Sequence, residues 1–254
     1  MYRTTYPHGV YIRRLQVQMI IIAGQAGAGK TTLANIIAKK SFELGFIPKI
    51  MSFAGALKDL AMSKGFDKEN HPEEYRIFCQ DYGKEKRDAN PNHWVQKFEI
   101  EVHKLLMEEQ KDLKESKKYW ERCIIVDDCR YTNEIQVGLK RDATLLFISY
   151  GDRESVYKDR DWTGHESEEL ANAVNKNPAE FNDVFNYFIE NNGTEEDLKK
   201  KVMPYISEWC GLTTERSKDN FKKLSEWVSE LIDLLLLSHL EEEEEEDDDE
   251  HLTS

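Results

Sequence analysis

Residues 24–31 read GQAGAGKT and fit the pattern G-x-x-x-x-G-K-[ST], the phosphate-binding P-loop. Over Gly24, Gln25, Ala26, Gly27, Ala28 and Gly29 the backbone can curl so that successive N–H groups face phosphates, and the helix that follows adds its positive dipole end. Lys30 would then reach the β- and γ-phosphates. Thr31 would place its hydroxyl on Mg²⁺, with Thr32 next in the same donor-binding run. The expected occupant is ATP with its magnesium ion.

A P-loop holds a nucleotide without saying what happens to it, so the residues that decide the chemistry lie elsewhere. Asp127 and Asp128 end the apolar run CIIV, where an acid at the carboxyl end of a strand can hold Mg²⁺ or its water. Of the two, Asp128 is the expected metal residue; the plainer alternative is an acid that caps the next turn. Arg130, two residues on, would hold phosphate oxygens bidentately. Phosphoryl transfer needs positive charge around the γ-phosphoryl and exclusion of water. Arg153 and Arg160, in the polar stretch 150–177, are placed to supply that charge if the stretch closes as a lid. A second molecule needs its own site. Phe53 and Lys58, with Arg76, Gln80, Arg87 and Trp94 further on, combine cations for a phosphate with amide and aromatic groups for a base. The plainer alternative makes Phe53 and Trp94 core and the two arginines surface charges.

These residues must be carried by regular elements. The run 19–23 reads as a buried strand, and residues 32–44 have apolar groups at helical spacing up to Gly45. Strands are expected at 49–54, 123–128, 144–149 and 185–190, with a helix over 55–64 and a second helix after Thr194, which would cap it. This order implies right-handed parallel crossovers and a doubly wound α/β sheet. Residues 66–92 read as a charged, irregular insertion around one short helix at 72–83, begun by Pro72. A long helix follows over 92–119, and its second half is solvated. Residues 1–18 form no convincing period and read as a flexible arm. Residues 218–240 have the apolar spacing of a last helix, suited either to self-association as a homodimer or to packing on its own sheet.

Charge and cysteine usage bound the class. The formal net charge is −14, but residues 241–250 are an unbroken acidic run, which leaves about −4 for everything else. Such a body argues against a general nucleic-acid surface, and the tail 241–254 is expected to be disordered. Cys79, Cys123, Cys129 and Cys210 form no C-x-x-C pair and no metal spacing with the histidines, as in reduced thiols of a cytoplasmic protein. No apolar run reaches the length of a membrane span, and no signal-type core begins the chain, so a soluble protein without membrane partners is expected.

With these residues in place, the chain resembles the deoxynucleoside monophosphate kinases of tailed bacteriophages, a branch of the P-loop nucleoside monophosphate kinases. The resemblance runs over about residues 19–206. It rests on GQAGAGKTT, FAGALKD, the R-x-x-x-Q-x-x-G pattern of Arg76, Gln80 and Gly83, the sequence VDDCRYTNE, and the last strand leading into NNGTEEDL. It implies a three-layer α/β fold with a five-stranded parallel sheet flanked by helices. The kinase domain would span 19–208, with a monophosphate-binding insertion at about 55–119 and a lid at about 150–177, and a C-terminal helix at 209–240. It further implies that Arg76, Gln80 and Arg87 hold the acceptor, that Asp128 and Arg130 serve the phosphoryl site, and that Asn191, Asn192 and Gly193 lie beside the donor adenine. The expected reaction is ATP-dependent phosphorylation of a deoxynucleoside monophosphate, a small nucleotide substrate. Two rivals are a kinase of hydroxymethylated pyrimidines in phage DNA, which would need a base and a positive groove, and a P-loop protein that uses nucleotide only as a switch.

Overall fold

Gln18–Gly24 forms the first strand, β1, and every residue of it is buried, as expected of a strand covered on both faces. The computed structural model describes residues 17–116, 121–150 and 166–211. Its other strands are Phe46–Met51 (β2), Glu121–Cys129 (β3), Thr144–Ser149 (β4) and Tyr187–Glu190 (β5). They form one five-stranded sheet of order β2-β3-β1-β4-β5, with each neighbouring pair parallel. The helices are Lys30–Glu43 (α1), Gly55–Ser63 (α2), Pro72–Ala89 (α3) and His93–Ser116 (α4). Thr132–Lys140 (α5), Glu169–Lys176 (α6), Glu195–Val202 (α7) and Ile206–Trp209 (α8) follow.

The period of two along β1 divides the interior into two layers. Ile20 and Ile22 point into a cluster with Leu33 and Ile37 of α1, Leu198 and Val202 of α7, and Ile206 and Trp209 of α8. Met19, Ile21 and Ala23 point the other way, toward Phe98 and Val102 of α4, Ile135 and Val137 of α5, and Ala171 and Val174 of α6. Topology explains the partition. The path β1-α1-β2 leaves β1 toward one edge, whereas β3-α5-β4 crosses over β1 toward the other. With right-handed crossovers in both, α1 and α5 fall on opposite faces. The loop that leaves β1 therefore parts from those that leave β3 and β4, and a crevice opens at the carboxyl ends of the strands, where ligands of open α/β sheets bind.

The expected α/β architecture is present, and several boundaries move. β2 begins at Phe46 rather than 49, because the chain passes from α1 into it within two residues. α3 runs through to Ala89, well beyond the short helix expected at 72–83, since the residues after Gly83 are mostly good helix formers. α4 is core rather than insertion: Val95, Phe98 and Val102 are buried beneath the sheet. The second half of the expected lid also belongs to the body, because Ala171 and Val174 of α6 are buried. Arg153 and Arg160 lie outside the described residues, as do the arm 1–16 and the segments 218–240 and 241–254. Among the described residues no helix is long and apolar enough to cross a membrane.

The body continues past residue 208. Trp209 and Cys210 are each 1% exposed, and the Trp209 ring lies 5.3 Å from that of Tyr187. Cys210 shares an apolar cluster with Cys123 of β3, and all four cysteines are free thiols. Trp209→Ala should therefore cost about 3–5 kcal/mol. The measurement is a shift of the denaturant midpoint at constant m-value, and a shift near zero would return residue 209 to a separate tail.

Candidate active site

The crevice begins where β1 stops. Gly24 has φ 145, and a Cβ there would stand 2.1 Å from the backbone oxygen of Ile148 in the neighbouring β4. Only glycine lets the loop leave the sheet at that point. At the other end Gly29 has φ 103 and caps α1, and a Cβ there would stand 2.5 Å from Asn191 Nδ2. That amide donates to the Ala28 carbonyl at 2.8 Å, and both residues are buried. Asn191 is thus a strut beneath the loop rather than a wall of an adenine pocket. Gly193 packs against Asp197, whose carboxylate completes the cap of α7 with Thr194 at 2.9 and 2.7 Å. Asn192 is exposed and Gly193 half-buried.

Lys30 is 7% exposed, and its ammonium folds back on the loop, donating to the carbonyls of Gly24 at 2.5 Å and Gln25 at 2.7 Å. Burial, then the charge of Arg130, pulls its pKa down to about 8. Thr31 Oγ1 donates to Asp127 Oδ2 at 2.9 Å, and Ser52 Oγ donates to Asp127 Oδ1 at 3.0 Å. Asp127, not Asp128, is therefore the carboxylate that faces the loop threonine. Asp128 turns instead to the connection between β2 and α2. It accepts from the N–H groups of Phe53 at 2.7 Å and Ala54 at 3.3 Å, and from Lys58 Nζ at 2.8 Å. The reason lies in the register. Ile21 pairs with Val126 but Ala23 pairs with Cys129, so β3 carries one residue more than β1 across this stretch, and such an irregularity re-aims side chains.

Beyond Asp128 the chain turns into α5 under the control of Glu134. One carboxylate oxygen, Oε2, accepts from the N–H groups of Arg130 at 2.6 Å and Tyr131 at 3.0 Å. Burial, then the charge of Asp128, pushes the Glu134 carboxyl up to about 8. Convergence of both donors on one oxygen leaves the other to carry the proton that burial favours. The Arg130 guanidinium reaches Glu168 Oε1 at 3.0 Å and Ser167 Oγ at 3.2 Å. Glu168 is 3% exposed, and its Oε2 accepts the N–H of Ala26, in the loop between β1 and α1, at 2.8 Å. Gln25 is tied to the same region through Asn172 at 3.2 Å.

The second basic group sits beside the first. Arg87 of α3 donates to Glu166 Oε1 from Nε at 3.2 Å and from Nη2 at 2.8 Å, and lies over the Tyr131 ring at 4.6 Å. Tyr131 Oη reaches the same oxygen at 3.4 Å, and Lys84 Nζ lies 3.6 Å from the other. Burial raises the Tyr131 hydroxyl above the ordinary tyrosine range. Arg76 and Gln80 are half-buried on α3. Two expected acceptor residues are instead core. Phe53 is 1% exposed with its ring 4.4 Å from Phe98, and buried Trp94 donates Nε1 to the Gly83 carbonyl at 3.1 Å, joining α4 to α3. Cys129 is buried, and desolvation pushes its thiol up, so it packs rather than reacts.

The sequence reading missed Ser52, Asp127, Tyr131, Glu166 and Glu168. Asp127 was visible as half of a pair. The two glutamates gave no local signal, since they stand among the acids of DWTGHESEEL and only the fold brings them to the arginines.

No family model matches the chain, and no curated protein matches it. Among solved structures it is similar to a shikimate kinase from Acinetobacter baumannii in complex with shikimate, at 16% identity and a TM-score of 0.41, covering 76% of this chain and 95% of that one. A shikimate kinase from Bacteroides thetaiotaomicron gives 15% identity and a TM-score of 0.40 over 75% of this chain and 98% of that one. A dephospho-CoA kinase from Campylobacter jejuni gives 15% and 0.36 over 76% and 97%.

Proposed function

We propose that the crevice binds ATP with Mg²⁺ and transfers the γ-phosphoryl to a small phosphate-bearing acceptor, a deoxynucleoside monophosphate. One observation carries this reading: a single turn, Glu166–Glu168, touches the phosphate loop and Arg130 through one end and Arg87 through the other. Cations suited to two phosphates thus lie a turn apart, as transfer between two phosphates requires. The loop amides and the amino end of α1 would cradle the donor, Lys30 would exchange its loop carbonyls for phosphate oxygens, and Arg130 would clamp the transferring group. Arg87, stacked on Tyr131, and Arg76 and Gln80 on the same helix would hold the acceptor. Deoxynucleoside specificity rests on the sequence resemblance. A monophosphate acceptor is already anionic, so no general base is needed.

The residues present fit a magnesium ion. A hydroxyl and a carboxylate, those of Thr31 and Asp127, meet at the mouth of the loop, and both are hard oxygen donors. Thr31 and Asp127 would hold the ion, which would supply positive charge against the phosphates. Asp128 then acts as a positioning residue that fixes the turn carrying Phe53 and Lys58.

The two acids should separate cleanly. Asp127→Asn should raise the Mg²⁺ concentration for half-maximal activity by about tenfold or more. Asp128→Asn should leave that titration in place and lower the Tm, because it loosens the turn after β2. The opposite pattern in magnesium titrations and thermal melts would hand the metal role to Asp128.

Lys30 supplies a pH signature. Its pKa of about 8 leaves it mostly neutral at pH 9 before nucleotide is added. Phosphate charge beside it restores the charged form, so binding must draw in a proton, approaching about one at pH 9 and falling away below pH 7. Calorimetry in buffers of different ionisation enthalpy measures that uptake. Lys30→Ala should abolish it and lower turnover on the order of 10²-fold or more. Unchanged turnover with ATP and a panel of monophosphates would sink the assignment.

A further inference from the structure

Glu168 and Glu166 are themselves anions in the places where phosphates are expected. The Glu168 side chain is 4% exposed, and a carboxylate so buried is costly unless donors meet it. Its donors here are the Ala26 amide of the phosphate loop, at 2.8 Å, and Arg130, at 3.0 Å. Glu166 takes a two-bond contact from Arg87 and stands 3.6 Å from Lys84. An ionised carboxylate is acceptor-only and matches a guanidinium as a phosphate face does. The turn is anchored, because it runs directly into α6, whose Ala171 and Val174 are buried.

We infer that the Glu166–Glu168 turn is an internal anion that answers the donors of the cleft from within, with Glu168 at the edge of the loop 24–31 and Glu166 in the second basic site. A phosphate arriving at either site competes with one of the two carboxylates. Because both ride on one turn of three residues, displacing one end weakens the hold of the other, and the two sites are coupled without touching. This inference rests on the reading of the cleft as a site for two phosphate groups.

The probe is the magnesium complex of AMP-PNP, which cannot be turned over, titrated calorimetrically into the full chain with no acceptor present. Glu168→Gln keeps the shape and removes the charge, and should tighten the complex by about tenfold. Glu166→Gln is the sharper arm. Glu166 makes none of the described contacts to the phosphate loop and is 32% exposed, so its replacement spares the fold if that of buried Glu168 does not. It should still tighten AMP-PNP, by about threefold or more, since typical coupling between sites is about 5- to 150-fold. Wild-type binding with no tightening in either variant overturns the clamp and leaves the nucleotide site standing. Tightening in Glu168→Gln alone overturns the link between the sites. No binding by the wild type or by either variant overturns both the nucleotide reading and the clamp.

Discussion

An ammonium buried at the carboxyl end of a central parallel strand sets the terms for the rest of this molecule. Lys30 is 7% exposed, and burial lowers its pKa to about 8. It is tolerable only because the loop offers two carbonyls and because acids stand close by. Those acids attract cations in turn. Asp128 is met by Lys58, Glu168 by Arg130, and Glu166 by Arg87 and Lys84. The cleft is therefore an ionic assembly already balanced from within. On the proposed reading, a polyanionic ligand enters by exchange, with some internal pairs opening as new ones form. The low dielectric that makes Lys30 costly when unpaired also makes each exchanged pair consequential.

The same constraint divides the cleft into a fixed and an adjustable half. The loop is braced from below by Asn191 on the Ala28 carbonyl and is fixed at its start by the contact between Gly24 and Ile148. The approach of Arg130 is fixed by Glu134, which binds two successive backbone amides. These are bonds to backbone, and breaking them would undo a strand end or a helix start. Among the described contacts, those of Glu166 and Glu168 differ, since apart from the Ala26 amide they join side chains. Backbone thus holds the donors in place while carboxylates that can be exchanged fill them.

Legibility from sequence followed the range over which each feature is decided. The glycine-rich turn between β1 and α1 was readable because its residues are contiguous and its path is a property of local backbone. The five strands were readable as apolar runs, and the cap at Thr194 as a local hydrogen-bond pattern. The choice between Asp127 and Asp128 was not readable, because one extra residue in β3 relative to β1 decides it, and that registers only when the strands are paired. Phe53 and Trp94 have the chemistry of base-stacking residues, yet the core took both. Their neighbours Phe98 and Gly83 are close in space through helix packing alone. Glu166 and Glu168 lay deepest, since an acid in a polar stretch carries no mark of the arginine it will meet.

Those two glutamates also change what the arginines mean. A guanidinium in a cleft is ordinarily read as a site for an anion, but here Arg87 and Arg130 are already answered by carboxylates of one turn. Net attraction for a phosphate then depends on the difference between two anions rather than on the arginine alone. A phosphate near neutral pH carries up to about two charges where a carboxylate carries one, and a triphosphate reaches loop amides that a single carboxylate cannot. The exchange favours a ligand that spans many donors at once and disfavours a lone small anion. On the proposed exchange, selectivity for polyphosphates comes from the competitor the protein carries as much as from the donors it presents.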